Sequence, residues 1–188
     1  EKLGMDFLST VFDDTSVDFL EELEVSAYKI ASFELVDIPL IRKVASTGKT
    51  IFISCGMGTE VEIEEAVQTI EEQGNHDYVL LKCTSEYPAV YEDMRISLIP
   101  VMKEKFGCIV GLSDHSLGYE ADIMAVTLGA KVIEKHFCIS RDDDSVDAAF
   151  STNREEFAEL VEKVRLTERM LNVTIKSGGE TNKIMHIA

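Results

Sequence analysis

No window of this 188-residue sequence comes near the roughly 18 consecutive apolar residues of a membrane-spanning helix. Its start, EKLGMDFL, lacks the basic flank and apolar stretch of a secretion signal. These absences disfavour membrane insertion and secretion and point to a cytoplasmic protein. Basic residues are scarce, 18 Lys and Arg against 35 Asp and Glu, for a formal charge of -17. Such a charge repels phosphodiester backbones, which argues against nucleic-acid binding. The four cysteines, Cys55, Cys83, Cys108 and Cys138, form no CxxC pair and lie in or beside apolar runs, so they read as buried reduced thiols. No GxGxxG turn follows any apolar run, although open dinucleotide-binding sheets usually carry one. What remains, 45% hydrophobic and 28% charged, is the composition of one globular domain.

Six short β-branched runs are present: Met5 to Phe12, Ala27 to Ser32, Thr50 to Gly56, Tyr78 to Ser85, Cys108 to His115 and Lys131 to Phe137. Their starts recur every 22 to 30 residues, room for a helix and two turns each time. Helices are expected at about Ser16 to Leu23, Ile38 to Ser46, Thr59 to Gly74, Ile96 to Phe106 and Tyr119 to Leu128, with a last one from Asn153. Thr59 with Glu62 makes a capping box, and Pro100 should kink or shorten its helix. The last helix should bury Phe157, Leu160, Val161 and Val164. Strands apolar on both faces, joined by amphipathic helices, imply a parallel α/β sheet covered by helices. The missing glycine-rich turn favours a (β/α) barrel, whose chemistry sits at the carboxyl ends of its strands.

Those ends are polar: Ser9 and Thr10, Lys29 and Ser32, Ser54, Thr84 and Ser85, Ser113 to His115, and Glu134 to His136. Singly, a Ser or Thr at a strand end punctuates a turn. Six such ends converging on one rim point to a site. His115 and His136 stand at consecutive strand tips beside Asp114 and Glu134, an arrangement that suits two ligands of Mn²⁺, Fe²⁺, Co²⁺ or Zn²⁺. A buried strand lysine such as Lys29 requires an anion, either a phosphate or carboxylate ligand or, as the structural alternative, Glu34. Lys82 and Lys135 repeat the pattern, with the option that one faces the helix layer. Asp142, Asp143 and Asp144 lack the spacing of a calcium loop and read as a solvated turn.

The segments FLSTVFDDTSVDFLEEL, YKIASFEL, IFISCGMGT, LLKCTSEYPA, VGLSDH, IEKHF and VDAAFS run from about Leu3 to Leu171. Together they resemble the sialic acid synthases and their relatives, which condense phosphoenolpyruvate with an acylated amino sugar. LLKCTSEYPA and VDAAFS are most similar to the pseudaminic acid synthase branch; the neuraminate and legionaminate branches usually carry a histidine where this chain has Ala148.

The resemblance implies a TIM barrel of which these residues supply strands three to eight, a single partial catalytic domain over residues 1–188. The first two βα units and the antifreeze-like domain that follows the barrel are then absent. The full-length form would be a homodimer in which that domain covers the partner's site. Glu1 reads as a helix end, and the tail from Val173 resembles the usual barrel end without its arginines. Val11 replaces the proline common after Ser-Thr, and Glu86 is an uncommon residue before Tyr87-Pro88.

Carried onto matching motifs, the resemblance places Thr10, Lys29, Ser32, Ser54, Ser85, Tyr87 and Ser113 around phosphoenolpyruvate. Glu34 and Asp147 become the catalytic proton carriers. His115 and His136 become ligands of a divalent ion, Mn²⁺ or Mg²⁺ ahead of Co²⁺. The expected product is pseudaminic acid with phosphate, from a 2,4-diacetamido-2,4,6-trideoxy hexose. The alternatives are a neuraminate or legionaminate synthase, another phosphoenolpyruvate or aldol barrel with a different acceptor, and a non-catalytic barrel fragment.

Overall fold

The computed structural model describes residues 4–142 and 144–171. The helix end read at Glu1, the tail from Val173 and Asp143 lie outside the described residues. Six parallel strands, β1 (Leu8–Thr10), β2 (Ala27–Ile30), β3 (Thr50–Ser54), β4 (Tyr78–Cys83), β5 (Ile109–Asp114) and β6 (Ile133–Lys135), pair in chain order with no reversal. Each is followed by one α-helix: α1 (Asp14–Glu22), α2 (Ile38–Ala45), α3 (Glu60–Glu72), α4 (Leu98–Phe106), α5 (Glu120–Thr127) and α6 (Arg154–Leu171). The sequential order excludes a doubly wound sheet and gives a curled, open section of a (β/α) barrel.

Local chemistry sets the helix starts. The Asp13 carboxylate accepts from the Ser16 backbone N–H at 2.7 Å, and Asp37 accepts from Leu40 at 3.1 Å. Thr59 and Glu62 form the expected reciprocal box, and Asn153 and Glu156 form another ahead of α6. Each satisfies N–H groups that the first helical turn leaves without a partner. Pro100 falls in the first turn of α4, where its missing N–H costs nothing, so the helix is shortened at its start and not kinked. Gly107, at φ 63°, closes α4 in the left-handed conformation that side chains resist.

Strand alternation divides the side chains. Tyr28, Ile30, Ile51, Ile53, Leu80 and Leu112 are fully buried in one core cluster with Leu40, Ile41, Ile70 and Ile99 from the helices. Each such aliphatic side chain contributes about 1.5–3 kcal/mol relative to exposure. The opposite set includes Lys29, Ser54, Cys83, Ser113 and Glu134, and the register Cys83↔Ser113 and Ser113↔Glu134 brings the last three level.

This alternation corrects the reading of the lysines. Only Lys29 directs its ammonium inward. Lys82 turns to the helix side, donating to the Cys83 carbonyl and to Thr84 Oγ1 at 3.0 Å. Lys135 pairs with Asp114, lies 3.4 Å from Asp122 Oδ2, and donates to the Ser116 carbonyl at 3.0 Å. Burial, with Asp114 alongside, pushes the Asp122 carboxyl up to about 8.

The edges also depart from expectation. β1 and β6 are three residues each, shorter than their apolar runs, because each has a strand neighbour on one side only. In α6 only Leu160 and Thr167 are buried, while Phe157 and Val161 stay exposed. That helix packs on α5 beyond the last strand of the sheet. Asp142 and Asp144 are exposed, as a solvated turn requires. Among the described residues no helix is long and apolar enough to cross a membrane.

Candidate active site

At the carboxyl ends of the strands lies a cavity of about 350 Å³. Its walls include Thr10, Lys29, Ser32, Ser54, Ser85, Tyr87, Ser113, His115 and His136, so all seven expected substrate contacts and both expected metal ligands face one space. Glu34 and Asp147 flank it without lining it.

Lys29 is buried. Its ammonium donates to Ser54 Oγ at 2.7 Å and to the Ile30 carbonyl at 3.0 Å, with Glu134 Oε1 at 3.8 Å. Burial pulls its pKa below the usual lysine range, and the Glu134 charge opposes that shift. The nearest carboxylate is therefore Glu134, not the Glu34 expected as its structural partner. Ser113 Oγ donates to the same Glu134 Oε1 at 2.6 Å, which links β5, β6 and Lys29 in one polar chain. Glu34 sits on a short 3₁₀ turn after β2.

Two buried polar atoms at or beside the site, Ser85 Oγ and Glu34 Oε2, have no hydrogen-bond partner among the described residues. Leaving such a group unpaired costs about 1–3 kcal/mol, a cost that a polar ligand in the cavity would remove at Ser85, which lines it. Gly56 keeps the wall open: a Cβ there would stand 2.6 Å from Ser85 Oγ, 2.9 Å from Cys83 Sγ and 3.0 Å from Ser32 Oγ. Its backbone N–H donates to Ser32 Oγ at 3.1 Å.

The histidine rings are 5.2 Å apart, centroid to centroid, and inclined at 63°. His115 Nδ1 lies 2.8 Å from the Thr84 carbonyl. A carbonyl only accepts, so Nδ1 carries the proton and Nε2 presents its lone pair. His136 Nδ1 is 3.5 Å from Asp147 Oδ2. Tyr87 stacks on His115 with centroids 4.1 Å apart, and Phe150 meets His136 edge-on at 5.2 Å. Burial works to lower the His115 pKa, but bonds to Cys83 and Thr84 outweigh it and the result is raised; burial and the His115 charge lower His136. For Cys83, burial resists ionisation, yet His115, Ser32 and Ser113 prevail and hold the thiol below its ordinary range.

Among the described residues no group of three or more His, Cys, Asp or Glu side chains is gathered to hold a metal. His115 and His136 offer two nitrogen donors to a divalent ion with its other positions left open, fewer than the three protein ligands usual in catalytic zinc sites. The Thr84 carbonyl on Nδ1 is the outer partner that metal-bound imidazoles commonly have.

Sequence reasoning gave Cys83 no role and named Glu134 only as a carboxylate beside the histidines, although both line the cavity. The signal was the period-two alternation that sets them level with Ser113. Ala148 is 3% exposed and does not line the cavity.

Comparison with known proteins places this geometry in a family. An uncharacterized protein of Methanocaldococcus jannaschii is 46% identical over 171 residues, 91% of this chain and 51% of its own length. The pseudaminic acid synthase of Campylobacter jejuni serotype O:2 is 44% identical over 168 residues, 89% of this chain and 49% of its own. The chain thus spans about half the length of these relatives. The crystal structure of an N-acetylneuraminic acid synthetase from Leptospira borgpetersenii superposes with a TM-score of 0.89 at 32% identity, over 95% of this chain and 62% of that one. The sequence model of the NeuB family matches residues 1–176, and the chain belongs to that family.

Proposed function

We propose that this chain is the catalytic barrel portion of a nonulosonic acid synthase, joining phosphoenolpyruvate to an acylated amino sugar with release of inorganic phosphate. The observation that carries this reading is the buried Lys29 ammonium, surrounded by hydroxyls and sharing one cavity with a histidine pair. Phosphoenolpyruvate is a compact polyanion, and in an acidic protein a desolvated ammonium with Ser32, Ser54, Ser85, Ser113, Thr10 and Tyr87 around it is the chemistry that holds one.

The enol methylene is a weak carbon nucleophile, so its placement against the aldehyde carbon of the open-chain sugar matters most. Lys29 and the serines fix the phosphate end. A divalent ion, Mn²⁺ or Mg²⁺ ahead of Co²⁺, would be held by His115 and His136 and would supply Lewis-acid polarisation of the aldehyde oxygen. As the new carbon–carbon bond forms, the former aldehyde oxygen takes up a proton and water adds to C2. Phosphate then leaves with its bridging oxygen as the C2 keto group is established. Glu34, with a buried unpaired oxygen, and Asp147, 3.5 Å from His136 Nδ1, are the proposed carriers of these protons. Glu134 holds Ser113 and balances Lys29.

The VDAAFS segment and the 44% identity to a pseudaminic acid synthase support a 2,4-diacetamido-2,4,6-trideoxy hexose as acceptor. Two preceding βα units, an antifreeze-like domain after the barrel and a second copy covering the site belong to the same proposal. The test is phosphate release from a barrel completed with those units, assayed with each acceptor and with chelator. Release with the diacetamido sugar, abolished by chelator, is expected, with little turnover by the 188 residues alone. Preference for N-acetylmannosamine overturns the acceptor assignment, and no release with any acceptor overturns the synthase reading.

A further inference from the structure

A second cavity, of about 520 Å³, opens on the other side of β4, between α3 and α4. Its volume lies in the range of small-molecule sites. It shares Cys83 with the first cavity, and Gly56 and Thr84, which support that cavity from behind, also line it, but none of the proposed substrate contacts, proton carriers or metal ligands does. Its body is apolar, with Ile63, Leu98, Val101, Met102 and Phe106 on the walls. Leu98 and Val101 remain 40% and 55% exposed, so this apolar surface is reachable from solvent.

One end is charged in an unusual way. Lys82 is 8% exposed, and its ammonium meets only the Cys83 carbonyl and Thr84 Oγ1 among the described residues. That leaves one of three N–H donors unused. Arg95 also lines the cavity and makes no ion pair or side-chain hydrogen bond among the described residues. Burial, and beyond it the Arg95 guanidinium, act to lower the Lys82 pKa, so the two cations feel one another. Of the carboxylates on the wall, Glu60 is engaged by Lys105, which also reaches Glu64 at 2.6 Å, and Asp93 forms no ion pair with either Lys82 or Arg95. Arg95 is further held at φ 45°, a left-handed conformation that a long side chain adopts at a cost. In a chain of net charge -17, two cations without acidic partners among the described residues, at the head of an apolar cavity, are an arrangement that stability does not explain.

We propose that this cavity binds a small amphipathic anion, a carboxylate or phosphate on an apolar body. Arg95 and Lys82 take the anionic group, and Val101, Met102 and Phe106 surround the body. The guanidinium fork matches either oxyanion, and the buried ammonium adds a point charge in a low-dielectric setting.

The experiment is amide NMR on the whole ¹⁵N-labelled chain, titrated with 3-phenylpropionate and phenyl phosphate, with 3-phenylpropanol as the uncharged control. Saturable shifts at Arg95, Met102 and Phe106 with either anion are expected, and the tighter of the two identifies the head group. Binding should weaken at least tenfold for the alcohol and for the Arg95→Asn variant, whose asparagine tolerates a positive φ and preserves the fold. Lys82→Met should give the same loss wherever its circular dichroism matches the parent. Shifts confined to Lys29 and Ser54, equal binding of the alcohol, or unchanged affinity in Arg95→Asn would each overturn the proposal.

Discussion

Gly56 sets the width of the substrate cavity through the side chain it lacks, since a Cβ there would press on Ser32, Cys83 and Ser85 at once. Gly56→Ala should leave the fold intact and push Ser32 and Ser85 out of place. Losing one hydrogen bond, about 0.5–1.5 kcal/mol, should weaken phosphoenolpyruvate binding roughly two- to twelvefold by calorimetry; unchanged affinity contradicts the wall's role. Nothing in the sequence distinguishes Gly56 from a turn glycine. Lys29 is the opposite case. An ammonium inside an apolar strand demands an anion, and that demand is legible in AYKIAS. Which carboxylate stands nearby is not, because Glu134 arrives from a distant strand and its placement depends on sheet register. The same limit conceals the different directions of Lys82 and Lys135. Each lies one position out of phase with the inward set, and a single residue of register exchanges cavity for helix layer.

Elements are legible where their signals are local. Thr59, Glu62, Asn153 and Glu156 announce helix starts within four residues of themselves, and the structure pairs them as expected. Thr59→Ala should cost about 1 kcal/mol, measurable as a shift of the urea midpoint at constant slope; no shift would mean the box is idle. Asp13 makes a pH-dependent cap. Hydrogen bonds from the Ser16 side chain and backbone lower its pKa from 3.8 to about 2. A depressed carboxylate contributes stability that is present above its unfolded value and is lost as pH falls through the folded value. Asp13→Asn, which caps without titrating, should therefore flatten the stability profile between about pH 4 and pH 2. An unaltered acid limb in urea titrations would contradict this. The exposed face of α6 is not legible, because burial there depends on what stands beside the sheet's last strand and not on periodicity within the helix.

For the whole molecule, sequential strand order follows from the βα spacing, and the rim follows from strand polarity. The openness of the sheet appears as exposed Met5 and Phe7 beside β1 and Ile139 and Val146 beyond β6, apolar surface that a closed barrel would cover. The cavity nevertheless collects every expected substrate contact from β1 to β5 and the loops that follow them, so anion capture should survive in this chain even where turnover does not. The direct test is a titration of phosphoenolpyruvate into the chain, followed at the amides of Ser32, Ser54, Ser85 and Ser113. Saturable shifts at those positions are expected. Affinity should fall about tenfold or more in Lys29→Met, since a charge-assisted hydrogen bond is worth about 1.5–3 kcal/mol. Shifts elsewhere, or equal affinity in the Lys29→Met protein, would contradict the account.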